Sequence, residues 1–189
     1  MLVRRAGVVV SPFALRVRMA SSMKGVSYEY VKEYLFHKSK LLLKVNPVHK
    51  KVPVLIHNGK LMCESLVVVE YVDQLFASPS ILPGGPYKRA TARFWVAYVD
   101  DKVAFAKCSE GKAFFGGDSI GYLDIALGSF LLWFEAVHRM YGVEIIRSSK
   151  TPLLAAWAER FGGSAAAKEV VPEADEAVQY THKLHAVHP

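Results

Sequence analysis

Residues 52–63 constrain the fold more than any other segment of the chain. Val52-Pro53-Val54-Leu55-Ile56-His57 is a run fit for a strand, Asn58-Gly59 is the strongest short hairpin signal, and Lys60 to Cys63 forms the returning strand. The two strands must be antiparallel neighbours. Upstream, Gly7-Val8-Val9-Val10 closes a predicted buried strand over residues 5–10, and Ser11-Pro12 supplies an N-cap followed by proline at the first helical position. A helix is predicted from Pro12 to about Lys24, where Gly25 stops it. Val26 to Val31 alternates like a strand, His37 to Val45 reads as a short helix or irregular turn, and Asn46-Pro47 breaks it. Beyond the hairpin, apolar residues from Leu66 to Phe76 recur at helical spacing, with Ser65 as the cap. The first eighty residues thus read β-α-β-α-β-β-α.

Residues 77–86, Ala-Ser-Pro-Ser-Ile-Leu-Pro-Gly-Gly-Pro, read as a linker, and everything after them reads helical. Helices are predicted near 87–107, 121–141, 152–162 and 174–185, with Phe114 to Asp118 as a tight connection. Gly121-Tyr122-Leu123-Asp124 has the form of a capping box, with Asp124 reaching back to the Gly121 N–H and Ile120 and Ile125 at the staple positions.

Composition limits the possible functions. With 52% hydrophobic and 22% charged residues the chain buries a real core rather than remaining disordered. Cys63 and Cys108 lie far apart with no C-x-x-C pair, which argues against a disulfide framework or structural zinc and for a reducing compartment. Of the net charge of +7, residues 1–60 carry twelve Lys/Arg against only Glu29 and Glu33, so the anion-attracting part is N-terminal. No zinc-finger, helix-turn-helix or RNP-like signature accompanies that charge, which disfavours nucleic acid. The start resembles a signal peptide until Arg16 and Arg18 interrupt it, and Tyr122 to Met140 is too charged to span a membrane. His182, His185 and His188 have no carboxylate cluster beside them, so no metal site is expected.

Six collinear motifs resemble the cytosolic glutathione transferases, most closely the plant tau class: Ser11 to Arg18, Lys24 to Tyr30, Asn46 to Gly59, Cys63-Glu64-Ser65, Phe114 to Asp124 and Thr151 to Trp157. The resemblance covers nearly the whole chain. It implies an α/β, thioredoxin-like N-terminal domain (1–76), a linker (77–86) and an all-α C-terminal domain (87–189). The implied protein is a cytoplasmic, homodimeric enzyme of detoxification and stress response. It would use glutathione as co-substrate, without a metal, and conjugate it to small hydrophobic electrophiles.

The same resemblance assigns roles. From sequence alone Ser11 is either a helix cap or a catalytic hydroxyl; the family match favours a hydroxyl that hydrogen-bonds the glutathione sulfur, helped by the helix N-terminus behind it. Val52-Pro53 resembles the cis-proline turn that offers backbone groups to the cysteinyl part, Glu64 and Ser65 the pair that holds the γ-glutamyl end, and Lys38 the partner of the glycyl carboxylate. Phe13, Arg16, Trp95 and Tyr98 are candidate walls of an electrophile site between the domains, and dimerisation is expected through the faces carrying Glu70 and Arg89/Arg93. Cys63 reads as a small apolar filler.

One departure stands out. The segment matching the first long helix of the family's helical domain runs within a few residues into the segment matching the end of the second, so a stretch of residues is absent around Phe105 to Lys107. Either a shortened helical hairpin closes there or 87–107 stays one helix. Bulky electrophiles then lose part of their site, which leaves a non-catalytic glutathione or hydrophobic-ligand binder, or an inactive truncated isoform, as the alternative function.

Overall fold

The computed structural model describes residues 3–34, 37–76, 78–102 and 112–187, and the chain divides into two compact units, Met1–Pro79 and Ser80–Pro189. In the first unit the order is β1 (Val3–Gly7), α1 (Pro12–Met23), β2 (Glu29–Lys32), α2 (Lys40–Val45), β3 (Val54–His57), β4 (Lys60–Cys63) and α3 (Ser65–Leu75). The sheet order is β2-β1-β3-β4. β1 pairs in parallel with β2 and antiparallel with β3, and the Asn58-Gly59 turn returns β4 antiparallel to β3. Thus β1 is an interior strand, paired on both edges.

The predicted first strand is corrected at its end. The β-branched run Val8 to Val10 leaves the sheet and forms the loop into α1, with Val8 and Val10 buried and Val9 half-buried, and the Ser11 N–H bonds the Val8 carbonyl at 3.1 Å. α1 begins as its sequence dictates: Ser11 Oγ accepts the Ala14 N–H at 3.4 Å, Pro12 follows, and Gly25 with φ +61° lets the chain turn away. Its buried face, including Leu15, Val17, Met19 and Ala20, packs against α3, which buries Val68, Val69 and Val72. Each large side chain so buried contributes roughly 1.5–3 kcal/mol. At the far end of this pair the Lys24 ammonium, fully buried, meets the Asp73 carboxylate at 2.7 Å and the Phe76 carbonyl at 2.5 Å. The ion pair ties the C-terminal cap of α1 to the last turn of α3.

The second unit holds α4 (Pro86–Lys102), α5 (Tyr122–Gly128), α6 (Leu131–Tyr141), α7 (Pro152–Gly162), α8 (Ala165–Val170) and α9 (Ala174–Val187). Part of the predicted linker is core: Ile81 and Leu82 are buried, and the Ile81 carbonyl accepts the Tyr122 N–H at 3.1 Å. The helix predicted over 121–141 is two helices. Gly128 lies so close to the Phe161 ring that a Cβ there would sit 2.0 Å from it, and the chain reorients through Ser129 and Phe130 before α6 starts. α8, capped by Ser164, was not anticipated because six residues give too few turns for a periodic signal. The proposed gap at Phe105 to Lys107 lies outside the described residues, as does Cys108.

Asp124 organises this unit. Its buried carboxylate accepts N–H groups from Phe115 (2.9 Å), Gly116 (2.8 Å) and Gly121 (2.9 Å), and the Trp157 indole N–H at 2.8 Å. The capping bond to Gly121 is the one foreseen; the other three fix the 114–117 turn and α7. Burial pushes the Asp124 carboxyl above its ordinary range while all four donors pull it down. Among the described residues no helix is long and apolar enough to cross a membrane.

Removing one member of the buried pair in the first unit strands the other. Lys24→Met should destabilise the protein by about 3–5 kcal/mol in urea unfolding, and adding Asp73→Leu should recover most of that loss. A double variant as unstable as the single one would contradict this account.

Candidate functional site

The registers of the sheet bring chemistry to one edge. Gly7 of β1 lies opposite Lys32 of β2, Ala6 opposite Val54 of β3, and Val54 opposite Cys63 of β4. The ends of β1, β2 and β4 and the beginning of β3 therefore share that edge. From it emerge Ser11 after β1, Glu33 after β2, Val52-Pro53 before β3, and Glu64-Ser65 after β4.

A cavity of about 420 Å³ opens within the first unit, lined by Phe13, Asn46, His49, Lys51, Val52, Pro53, Glu64 and Ser65. Five of the ten residues singled out from sequence thus meet around one space. The Val52–Pro53 peptide bond is cis. Ser65 is not the cap of α3 but its first residue; Glu64 precedes it as the cap and makes no side-chain capping bond. The first intrahelical bond runs from the Val68 N–H to the Glu64 carbonyl at 2.9 Å, so the N–H groups of Ser65, Leu66 and Val67 precede the first intrahelical donor. A helix start of this kind favours a carboxylate. Glu64 holds φ 68° and ψ 112°, a backbone conformation costing an L residue on the order of 1–3 kcal/mol, and strain of this kind concentrates at binding sites.

The other predicted residues fall elsewhere. Ser11, the cap of α1, lies two residues before Phe13 but does not line the cavity. Its oxygen accepts the Ala14 N–H, and a hydroxyl that accepts one bond still has its proton to donate. Arg16, expected on an electrophile wall, is instead fully buried; its guanidinium reaches Ser65 Oγ at 3.5 Å and lies 5.1 Å from the Phe13 ring centroid. An arginine with no exposed area lines no surface, and its position beneath Ser65 follows from the packing of α1 on α3. Lys38 is exposed beside the start of α2 and does not line the cavity. Trp95 and Tyr98 belong to the second unit, on α4, where their rings meet edge to face at 5.8 Å.

Asn46, His49 and Lys51 were not singled out. Asn46 is buried and pins the loop: its Oδ1 accepts the His49 N–H at 3.2 Å, its Nδ2 donates to the Lys51 carbonyl at 3.0 Å, and Lys50 turns the chain at φ 53°. The signal that finds them is the lysine-dense run from Tyr34 to Cys63, which contains no acid and ends on the proline-led strand. Together Lys51, Glu64, Ser65 and the start of α3 suit a small zwitterion carrying both carboxylate and ammonium groups. Among the described residues no group of three or more His, Cys, Asp or Glu could hold a metal ion.

Cys63 is a free thiol, half-buried against the Ala6, Leu42 and Val54 core. Burial, and then the neighbouring Glu64 carboxylate, push its thiol up, which makes it a poor nucleophile.

Two family profiles match the chain: the glutathione S-transferase N-terminal domain over residues 6–80 and the glutathione S-transferase C-terminal domain over residues 90–160. A rice relative, probable glutathione S-transferase GSTU6 of Oryza sativa subsp. japonica, is 43% identical and covers 94% of this chain and 92% of its own. Glutathione S-transferase U17 of Arabidopsis thaliana is 42% identical over 96% of this chain and 95% of its own. The rice alignment runs over 217 positions although the chain has 189 residues, so that relative carries internal residues that this chain lacks. Among solved structures, the tau-class glutathione S-transferase MiGSTU of mango (Mangifera indica) superposes with a TM-score of 0.90 at 43% identity, covering 96% of this chain and 98% of the other. Rice GST1 in complex with glutathione superposes at 0.87 with 33% identity, covering all of this chain and 98% of the other.

The raised thiol of Cys63 has a measurable consequence. Iodoacetamide at pH 8 should alkylate Cys63 in the folded protein more slowly than a free cysteine, and Glu64→Gln should recover part of the rate. Alkylation as fast as the free amino acid would refute the assignment of Cys63 to the core.

Proposed function

The chain belongs to the glutathione S-transferase family, with tau-class relatives along nearly its whole length, and from that premise we propose that its first unit binds glutathione and activates the thiol for attack on hydrophobic electrophiles. The observation that carries this reading is the cavity where Val52, Pro53, Glu64 and Ser65 meet, in a fold shared with a relative solved with glutathione. In this reading the γ-glutamyl carboxylate sits at the start of α3 on the Ser65 hydroxyl and backbone N–H, and its ammonium faces Glu64. The backbone of Val52 pairs with the cysteinyl part like an added strand. Lys51 on the cavity wall, with Lys38 nearby in sequence, attracts the glycyl carboxylate.

Chemistry then depends on the thiol. At its ordinary pKa of about 8.5 only a few per cent is ionised at neutral pH. Ser11 donates its hydroxyl proton to the sulfur as a hydrogen bond, and the N-terminus of the twelve-residue α1 adds partial positive charge. Both favour the thiolate. The thiol proton leaves to solvent, the sulfur forms a bond to the electrophilic carbon, and the displaced group leaves with the electron pair of the broken bond.

The residues missing relative to the rice protein support a narrower electrophile range, with Phe13 as the candidate wall in the first unit. We assign the enzyme to the cytoplasm and expect a homodimer with a solution mass of twice 21.0 kDa, for which sedimentation gives the direct answer.

Calorimetry with glutathione and turnover of a generic aryl halide test the proposal. Ser11→Ala should cut turnover by about 10²–10³-fold while leaving glutathione affinity nearly unchanged. Unaltered turnover would remove Ser11 from catalysis, and absence of glutathione binding by the unmodified protein would overturn the reading as a whole. Aryl halide turnover equal to that of the rice relative would remove the narrowed electrophile range alone.

A further inference from the structure

Of the two acids in the first sixty residues, Glu33 is the one that is buried, at 2% exposure. It follows β2 directly, and its own N–H is fixed on the Gly7 carbonyl at 2.8 Å. Its carboxylate accepts the Ser39 hydroxyl at 2.6 Å and the Ser39 N–H at 3.3 Å. A buried carboxylate in a segment otherwise rich in lysine, spent on a neutral serine, calls for a reason beyond ion pairing.

That reason lies in α2. A six-residue helix is too short to persist unaided, so its ends must be held by the rest of the fold. Ser39 is its N-cap: Oγ accepts the Leu42 N–H at 3.0 Å while giving its own proton to Glu33. The serine hydroxyl has one proton, and by taking it Glu33 leaves the oxygen lone pairs for the helix start. Leu42, fully buried with Ala6 and Val54, seats the middle of α2. At the other end stands Asn46, the residue that shapes the 46–51 loop and so places His49, Lys51 and Val52 on the cavity. Lys38 adjoins the same cap. The chain of contacts runs from Glu33 through Ser39 and α2 to the wall of the site.

We propose that Glu33 is a positioning residue for substrate binding: by holding Ser39 it sets the start of α2, and α2 leads into the Asn46 loop that places Lys51 on the cavity wall to recognise a carboxylate of the bound tripeptide. This rests on the assignment of glutathione to the cavity. Glu33 acts through Ser39 and α2 and touches neither the ligand nor the sulfur, so it governs affinity and leaves the chemical step alone.

The experiment compares the full chain with Glu33→Gln, Ser39→Ala, the double variant and Ser39→Thr. Glutathione affinity is read by calorimetry, KM for glutathione and kcat with an aryl halide, and Tm by circular dichroism. Glu33→Gln and Ser39→Ala should each raise the Kd and KM for glutathione by about tenfold with kcat within about twofold. The double variant should be little worse than either single one, since both break the same contact. Ser39→Thr keeps the hydroxyl and should bind like the unmodified chain. If Glu33→Gln fails to fold, Ser39→Ala, a half-buried loop position, carries the test. Unchanged affinity in both single variants, a fall in kcat matching the rise in KM, additive losses in the double variant, or weak binding by a stable Ser39→Thr protein would each overturn the proposal. An unmodified chain that binds no glutathione would overturn the cavity assignment as well, which separates the two failures.

Discussion

The first unit depends on β1 being an interior strand of the sheet. It is flanked by β2 in parallel and β3 antiparallel, which forces α1 to cross over between β1 and β2 and makes three strand ends and one strand start converge on a single edge. Small residues make this possible. A Cβ on Gly7 would lie 3.3 Å from both the Ala14 Cβ and the Tyr30 hydroxyl, so α1 and β2 approach the end of β1 about as closely as side chains permit. Ser11, Val52, Glu64 and Ser65 are far apart in sequence, and their convergence is a consequence of that strand order.

What the sequence disclosed was largely what local chemistry controls. The Asn58-Gly59 turn, the Ser11-Pro12 helix start, the Gly25 stop and the bond from Asp124 to Gly121 each involve residues within a few positions of one another, and each appears as expected. The misreadings share the opposite character. Val8 to Val10 satisfies every local criterion for a strand but forms a loop in which packing buries Val8 and Val10. Ser65 has the composition of a cap, yet its hydroxyl is engaged by Arg16 from 49 positions away. Arg16 itself looks like a surface cation until α1 is laid on α3. Lys51 and His49 become visible as cavity residues only after Asn46 has folded their loop.

Each unit uses a buried carboxylate as an organiser, and the two do so differently. Asp124 gathers four N–H donors from a turn, a helix start and an indole, so several elements are fixed by one acceptor. Glu33 holds a single residue and works by fixing one end of a short helix. Burying either charge opposes folding, and the compensation comes from donors that would otherwise lack partners of their own. The arrangement explains how a lysine-dense segment with little regular structure still presents a defined wall.

The contact between Gly128 and the Phe161 ring carries a lesson for engineering. Helix propensity alone recommends alanine at this position, and the change would seem to join α5 and α6 into the continuous helix that their sequence suggests. The ring of α7 occupies the space that the added methyl requires. A substitution that makes the segment a better helix would therefore push α7 away from α5, so the break between the two helices is the condition under which the third can pack.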